Sequence, residues 1–289
     1  MAAATKLRFR FLTYSKFSQF RKLTKKECNR NEIGKRFQHT VAGDRDVDST
    51  EENRFGYDHL YPGHIPTSTL QKWLLSVGSA GMAIVDPYRD DMIATFGETA
   101  GSTSLKWMHK KMMADPEGQE VLRDRPVINT KTITIPYLGS LPEGTFGRAY
   151  WQFLKDNKFS PDARLPVHFV DDPELMYVML RYRQLHDLFH TLLGMPPNML
   201  GEVLVKWVEA FQTRLPMCIT GAMFGAVRLG PKDTSKYLRT YLPWAIRNGR
   251  QAKFLMGVYY EKHWEQDLDE LRRDLNIEPP PIPLVRKKN

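Results

Sequence analysis

Cysteine and long apolar runs are both scarce in this chain of 289 residues. The two cysteines, Cys28 and Cys218, are too few for a disulfide-stapled fold. With histidine taken as uncharged, the longest stretch between charged side chains is the 14 residues from Leu188 to Gly201. A helix needs about 18 apolar residues to cross a bilayer. The sequence therefore excludes a disulfide-rich secreted scaffold and predicts no transmembrane helix.

The body of the chain also lacks an excess of charge of either sign. The formal net charge is +9, and residues 1–43 account for it because they contain 11 basic side chains and only two acidic ones. Residues 44–289 hold 31 charged side chains of each sign. A protein body that binds nucleic acid needs a basic surface, so we expect no nucleic-acid partner.

Residues 1–43 have the composition of a mitochondrial presequence. The first 26 residues contain eight basic side chains and no acidic one, interleaved with Leu, Phe, Ser and Thr. An import receptor binds the apolar face of such a segment, and the negative-inside potential draws its positive charge inward. A disordered basic tail and a surface-bound amphipathic helix are the alternatives. We expect a polar linker to follow at residues 44–58.

Helical periodicity dominates the rest of the sequence. We predict one mainly α-helical domain over residues 59–276 and an extended, Pro-rich basic tail over residues 277–289. Asp172 is placed to cap one helix and Gly194 to end it, and only Thr130–Ile135 has the alternation of a strand. The predicted helices are Thr69–Asp86, Arg89–Phe96, Ser102–Ala114, Phe146–Asp156, Pro173–Leu193, Met199–Leu215, Leu238–Tyr260 and Trp264–Leu275.

The clearest chemical pattern lies in the last two turns of the helix Pro173–Leu193. His186 and His190 are four residues apart and share a helical face, so both imidazoles can reach one ion. Glu202 stands in the first turn of the next helix, and a helical hairpin returns its carboxylate towards the histidines. Two imidazoles and a carboxylate are the ligand set of a catalytic zinc site. The competing interpretation is a pair of hydrogen-bonded core histidines.

Asp187 extends this pattern but has two alternative roles. It completes the zinc ligands, or it holds an imidazole from behind, since it is rotated by about 100° from His186 on the helix. A zinc protease is disfavoured because its motif places Glu directly after the first His, where this chain has the shorter Asp187. The apolar side chains nearby disfavour a metal-dependent hydrolase, which needs polar groups around the ion.

Two further features flank the motif. The uncharged residues 215–227 contain Gly221 and Gly225, a spacing that favours close helix packing, with a slot for an apolar chain as the alternative. Arg181 and Arg183 precede the motif on the same helix. We expect a solvated face for them, and binding of an anionic substrate group is the alternative.

The run YVMLRYRQLHDLFHTLLGMPPNMLGEVLVKWVEA, which starts at Tyr177, closely resembles the mitochondrial ubiquinone (coenzyme Q) biosynthesis family with a zinc-binding motif. The resemblance covers about residues 60–277. Its other segments are LYPGHIPTS at Leu60, DPYRDDM at Asp86, FGE at Phe96, FVDDPEL at Phe169, LPMCITGAMFG at Leu215 and Trp264-Glu265. Carried over by position, the family's zinc site is His186, Asp187, His190 and Glu202.

The resemblance implies a peripheral protein on the matrix side of the mitochondrial inner membrane. It implies a place in a multi-protein complex, a possible homodimer, and removal of the ring carboxylate from a polyprenylated 4-hydroxybenzoate-derived intermediate, with or without oxidation at the same carbon. Zinc is then expected to orient the head group, with Asp187 or a metal-bound water as the proton shuttle. The alternative is a non-catalytic, lipid-binding scaffold in which zinc only staples the hairpin.

Overall fold

The computed structural model describes residues 60–86 and 89–283, and it is helical with no strand in that part of the chain. The mainly α-helical fold class is therefore confirmed. The expectations for the presequence and for the linker at residues 44–58 lie outside the described residues. Of the tail, residues 277–283 are described and are not helical, and the Trp244 indole donates to the Glu278 and Pro279 carbonyls.

Twelve α-helices are present in the described residues. They are α1 Thr69–Val85, α2 Asp90–Ala100, α3 Ser102–Met113, α4 Pro116–Asp124, α5 Ile135–Ser140, α6 Phe146–Asn157, α7 Pro173–Leu193, α8 Met199–Thr213, α9 Pro216–Gly225, α10 Pro231–Lys236, α11 Leu242–Gln251 and α12 Leu268–Asp274. A π-helical turn, Tyr237–Tyr241, joins α10 to α11. None of the helices among these residues has the length and apolar character to span a bilayer.

Helix α7 is the centre of the fold. Helices α3, α6 and α8 pack on it, and most of its side chains are buried. The Asp172 carboxylate accepts hydrogen bonds from the amides of Glu174 (2.8 Å) and Leu175 (3.2 Å), and Gly194 ends the helix at φ 64°. Both predicted ends of this helix are thus confirmed, and they place His186 and His190 in its last two turns.

The expected solvated face for the α7 arginines is wrong, because both side chains are buried. Arg181 pairs with Glu261 and donates to the Val258 carbonyl at 3.2 Å. Arg183 pairs with Glu98 on α2 and donates to the Pro166 carbonyl at 2.9 Å. A buried guanidinium needs such partners. These two arginines hold α7 to its neighbours and are not free to bind a substrate.

The expected strand Thr130–Ile135 is also wrong. The Thr132 hydroxyl turns back to the Val127 carbonyl, and Thr130 bonds to Asp162, so the segment is a turn that runs into α5. Alternating β-branched residues form a strand only with a partner, and the described residues supply none.

Two predicted helices are shorter than expected. The helix expected over Leu238–Tyr260 ends with α11 at Gln251, where Ala252 is extended at ψ 146°. The helix expected from Trp264 begins only at Leu268, because Asp267 accepts hydrogen bonds from the Asp269 and Glu270 amides and caps α12 there. Helices α4, α5, α9 and α10, each with Pro at its first or second position, are not among the predicted helices.

Helices α8 and α9 approach each other closely through the two glycines of α9. A Cβ on Gly225 would lie 2.7 Å from Cγ2 of Val203, and one on Gly221 would lie 3.4 Å from Cγ of Lys206. This confirms close helix packing at the Gly-x-x-x-Gly spacing. The packing holds α9 beside the first turn of α8, which carries Glu202.

Candidate metal centre

The α7–α8 hairpin brings three of the four predicted ligands together. Nε2 of His186 lies 3.4 Å from Oε2 of Glu202, and Nε2 of His190 lies 3.3 Å from its Oε1. One ligand atom from each residue falls in a group spanning at most 4.8 Å. The two imidazole planes are nearly perpendicular, at 89°. Their ε-nitrogens and one carboxylate therefore converge on a space that fits a single ion.

Hydrogen bonds on the far edge of each ring set the tautomer that a metal requires. Nδ1 of His186 lies 2.6 Å from Oε1 of Glu209, and Nδ1 of His190 lies 3.0 Å from the Met195 carbonyl oxygen. Both partners are acceptors, so each Nδ1 carries the proton and donates it. The lone pair of each neutral imidazole is then on Nε2, which faces Glu202.

His190 also provides the test of whether a metal fits this site. Its Nε2 is buried, and although Oε1 of Glu202 lies 3.3 Å away, this contact does not have the geometry of a hydrogen bond and no other described residue provides one. A buried polar atom without a partner is costly, and a coordinated cation would satisfy it. Two imidazoles and a carboxylate suit zinc. The residues present therefore fit the metal that the motif predicts.

One side of the cluster is open to solvent. The His190 side chain is 1% exposed and that of His186 13%, whereas that of Glu202 is 37% exposed. Three protein ligands and an accessible side are the arrangement of a catalytic zinc site, in which a further position takes water or substrate. A structural site is closed by four protein ligands.

A buried polar network supports His186 from behind. Glu209 has no exposed side-chain surface, and its Oε2 accepts from Nζ of Lys206 (2.6 Å) and from the Tyr182 hydroxyl (2.8 Å). Burial alone would raise the pKa of Glu209, but Lys206 and His186 outweigh it and hold that pKa below its usual value. Glu209 is thus a carboxylate that keeps the His186 ring in place.

Neighbouring charges shift the pKa of His186 and also that of Glu202, the candidate ligand carboxylate. Burial and Lys206 lower the pKa of His186, yet Glu209 and Glu202 more than compensate and leave it above its usual value. Burial raises the pKa of Glu202, but the positive charge that the two imidazoles carry when protonated brings it well below its usual range. Glu202 is therefore ionised, as a metal ligand must be.

Asp187 does not belong to the group formed by His186, His190 and Glu202. Its Oδ1 forms an ion pair with the Arg164 guanidinium, which comes from the segment between α6 and α7. Burial lowers the pKa of Arg164, but the Asp187 carboxylate outweighs it and keeps that pKa raised. Oδ2 of Asp187 makes no hydrogen bond to another described residue. The structure thus places Asp187 beside the cluster, as an ion-paired carboxylate.

Several functional contacts of this site escaped the sequence reasoning. Glu209 lies seven residues after Glu202, two helical turns along the same face of α8, so its spacing carried a usable signal. Lys206 lies four residues after Glu202 on that face. Arg164 lies in a connection whose path the sequence does not define, and no local pattern marks it. Phe153 of α6 stacks on His190 with ring centroids 5.5 Å apart, and it was also missed.

The known proteins to which the chain is similar in sequence are ubiquinone biosynthesis proteins. Residues 61–281 match the family model described as "Coenzyme Q (ubiquinone) biosynthesis protein Coq4". The chain is 56% identical over 222 residues to the ubiquinone biosynthesis protein COQ4 homolog, mitochondrial, of Rattus norvegicus, covering 77% of this chain and 84% of that protein. It is 53% identical over 227 residues to the Homo sapiens homolog, covering 78% and 86%.

A solved structure shares the fold. A crystal structure of a Nostoc punctiforme protein matches with a TM-score of 0.56 at 18% identity, covering 73% of this chain and 98% of that one. The family model spans most of the described helices and includes the three clustered residues of α7 and α8. The chain belongs to the Coq4 family of coenzyme Q (ubiquinone) biosynthesis proteins.

Proposed function

We propose that this protein is a zinc-dependent carboxy-lyase of ubiquinone biosynthesis in mitochondria. Its substrate is a polyprenylated 4-hydroxybenzoate-derived acid, from which it removes the ring carboxylate. It works on the matrix side of the inner membrane, together with other enzymes of the pathway, which it helps to organise. The observation that carries the proposal is the convergence of His186, His190 and Glu202 beside an open, solvent-facing side.

His186, His190 and Glu202 would hold the zinc ion. When bound, zinc supplies a positive charge that orients an anionic substrate carboxylate. Glu209 and the Met195 carbonyl keep the two imidazoles in the tautomer that presents Nε2. Phe153, stacked on His190, excludes water from one side of the site and so strengthens the electrostatic interactions there.

Asp187 is the proposed proton carrier. Arg164 holds its Oδ1, which leaves Oδ2 to take a proton from water and deliver it to the ring carbon that bears the carboxylate. The bond to the carboxyl group then breaks, carbon dioxide leaves, and the electron pair of that bond returns to the ring. The phenolic oxygen para to this carbon supplies the electron density that makes protonation feasible.

A decarboxylation assay with the purified protein tests the proposal. We expect a prenylated 4-hydroxy-3-methoxybenzoate to release carbon dioxide, and we expect a chelator or His190→Ala to stop the release. Product analysis shows whether hydrogen or hydroxyl replaces the carboxylate, which separates simple from oxidative loss. Bound zinc without any product would contradict the proposal and support the alternative, a scaffold in which zinc only staples the α7–α8 hairpin.

A further inference from the structure

Helix α1 exposes an apolar face that nothing in the described chain covers. Ser79 is the only buried residue of this helix, and one side packs on α2. Seven large apolar side chains of α1 are between 41 and 77% exposed, and they are Leu70, Trp73, Leu74, Val77, Met82, Ile84 and Val85. The first four have the i, i+3, i+4, i+7 spacing of a single helical face. Such faces are normally buried in a core.

The end of α9 and the turn Ala226–Arg228 that follows it lie beside the C-terminal end of α1. Ile219, Met223, Phe224 and Val227 are also exposed, and the Arg228 guanidinium donates to the carbonyls of Ile84 and Val85 at the end of α1. Of the twenty exposed large apolar side chains among the described residues, eleven lie on these two segments. Single exposed apolar side chains are ordinary, but a contiguous group marks an interaction surface.

Charge beyond the end of α9 favours an anionic partner, whereas the end of α1 and the start of α2 carry the acidic Asp86, Asp90 and Asp91 together with Arg89. Neither α1 nor α9 contains an acidic residue, and α9 contains no charged residue at all. The segment that follows, residues 228–239, carries four basic side chains and one acidic one, and the basic ones are Arg228, Lys232, Lys236 and Arg239. Apolar side chains bordered by basic ones are typical of protein surfaces that enter the headgroup region of anionic membranes.

The shape of the surface favours a fluid partner over a rigid one. A Cβ on Gly78 or on Gly81 would meet no atom within 4 Å, so this part of α1 is a projecting ridge and not a groove. Trp73 lies near the start of the ridge, and tryptophan is enriched at membrane interfaces. Lipid chains adapt to a projecting ridge, whereas a folded protein needs a complementary groove.

We infer that the α1 ridge and the end of α9 form a single surface that inserts into the interface of an anionic phospholipid bilayer. This inference rests on the membrane location in the proposed function, and it adds which surface meets the lipid. Gly225 packs against Val203 of α8, so the lipid-facing surface is attached to the helix that also carries Glu202.

Site-specific labelling tests the inference without any need for activity. The full chain with Cys28→Ser and Val77→Cys is labelled with the fluorophore NBD, and Met113→Cys, an exposed apolar site on α3, is the matched control. Phosphatidylcholine vesicles are used with and without phosphatidylglycerol and with nitroxide-labelled acyl chains. We expect a blue shift and nitroxide quenching at position 77 but not at position 113, stronger with phosphatidylglycerol and weaker at high salt.

A label at position 77 distinguishes vesicle binding through this surface from binding through the basic residues 1–43. Residues 1–43 can bind anionic vesicles without burying position 77. In the unlabelled full chain, we expect Trp73→Ser with Val77→Ser to lower vesicle partitioning about tenfold. No vesicle-dependent change at position 77 would overturn the inference. A blue shift that grows with protein concentration in the absence of vesicles would also overturn it, because the surface would then bind a second copy. Loss of decarboxylation with intact insertion would contradict only the proposed function.

Discussion

The Glu209 carboxylate lies 2.6 Å from Nδ1 of His186, on the opposite ring edge from Nε2, which faces Glu202. A buried carboxylate, a histidine and a metal in line form a unit in which the carboxylate orients the ring and increases its basicity. Through this contact, a carboxylate in the buried part of the α7–α8 hairpin orients a candidate metal ligand at the solvent-facing side.

Glu209→Gln is expected to weaken zinc binding about 10- to 100-fold, because an amide at this position no longer favours the required tautomer or supports the ring with a charge. Competition with a chromophoric chelator measures the affinity. Glu143→Gln, an exposed carboxylate outside the site, is the matched control and should bind zinc like the original chain. Equal affinities for the two variants would contradict the supporting role of Glu209.

Asp187→Asn is expected to leave zinc affinity nearly unchanged and to abolish turnover. The reason is that Asp187 pairs with Arg164 outside the cluster, while its second oxygen is the proposed proton carrier. The same chelator competition and the carbon dioxide assay give the two readouts. A large fall in zinc affinity would instead show that Asp187 is a fourth ligand.

Gly225→Ala is expected to destabilise the protein by about 1–3 kcal/mol, because its Cβ would lie 2.7 Å from Cγ2 of Val203. Gly78 lies in the middle of α1 with open space around the position of a new methyl group. Gly78→Ala should therefore stabilise the protein by about 0.5–1 kcal/mol. Denaturant unfolding of both variants measures the free energy of unfolding. Equal changes of the same sign would argue against close α8–α9 packing.

Cys218 is expected to resist alkylation in the folded protein. It is fully buried, and burial together with the nearby Glu209 raises the pKa of its thiol to about 12, so at pH 8 it is protonated as well as inaccessible. Iodoacetamide modification followed by mass spectrometry, in a Cys28→Ser chain, measures this. Modification should appear only with global unfolding, and rapid modification of the native protein would contradict the described core.

Local sequence patterns predicted those structural features that depend only on residues close together in the chain. Asp172 and Gly194 defined the ends of α7, and the spacing of His186 and His190 defined a shared face, since both follow from helix geometry. The contacts of Asp187 and Arg183 depend on segments distant in sequence, Arg164 and Glu98, so no local pattern revealed them.

The strand predicted over Thr130–Ile135 is absent because of contacts that are also not local in sequence. Alternating β-branched residues in Thr130–Ile135 satisfy a local preference, but a strand also needs a partner at hydrogen-bonding distance. Side-chain bonds from Thr130 to Asp162 and from Thr132 to the Val127 carbonyl fold the segment into a turn. Tertiary contacts decide between such alternatives, and a single sequence does not display them.

Metal analysis of the purified protein tests the central claim most directly. We expect about one zinc ion per chain, loss of that zinc in His190→Ala, and its retention in His109→Ala, a histidine on α3 away from the cluster. Added zinc should raise the melting temperature of the original chain but not that of His190→Ala. A chain that binds no zinc, or one whose zinc content is unaffected by His190→Ala, would contradict the account.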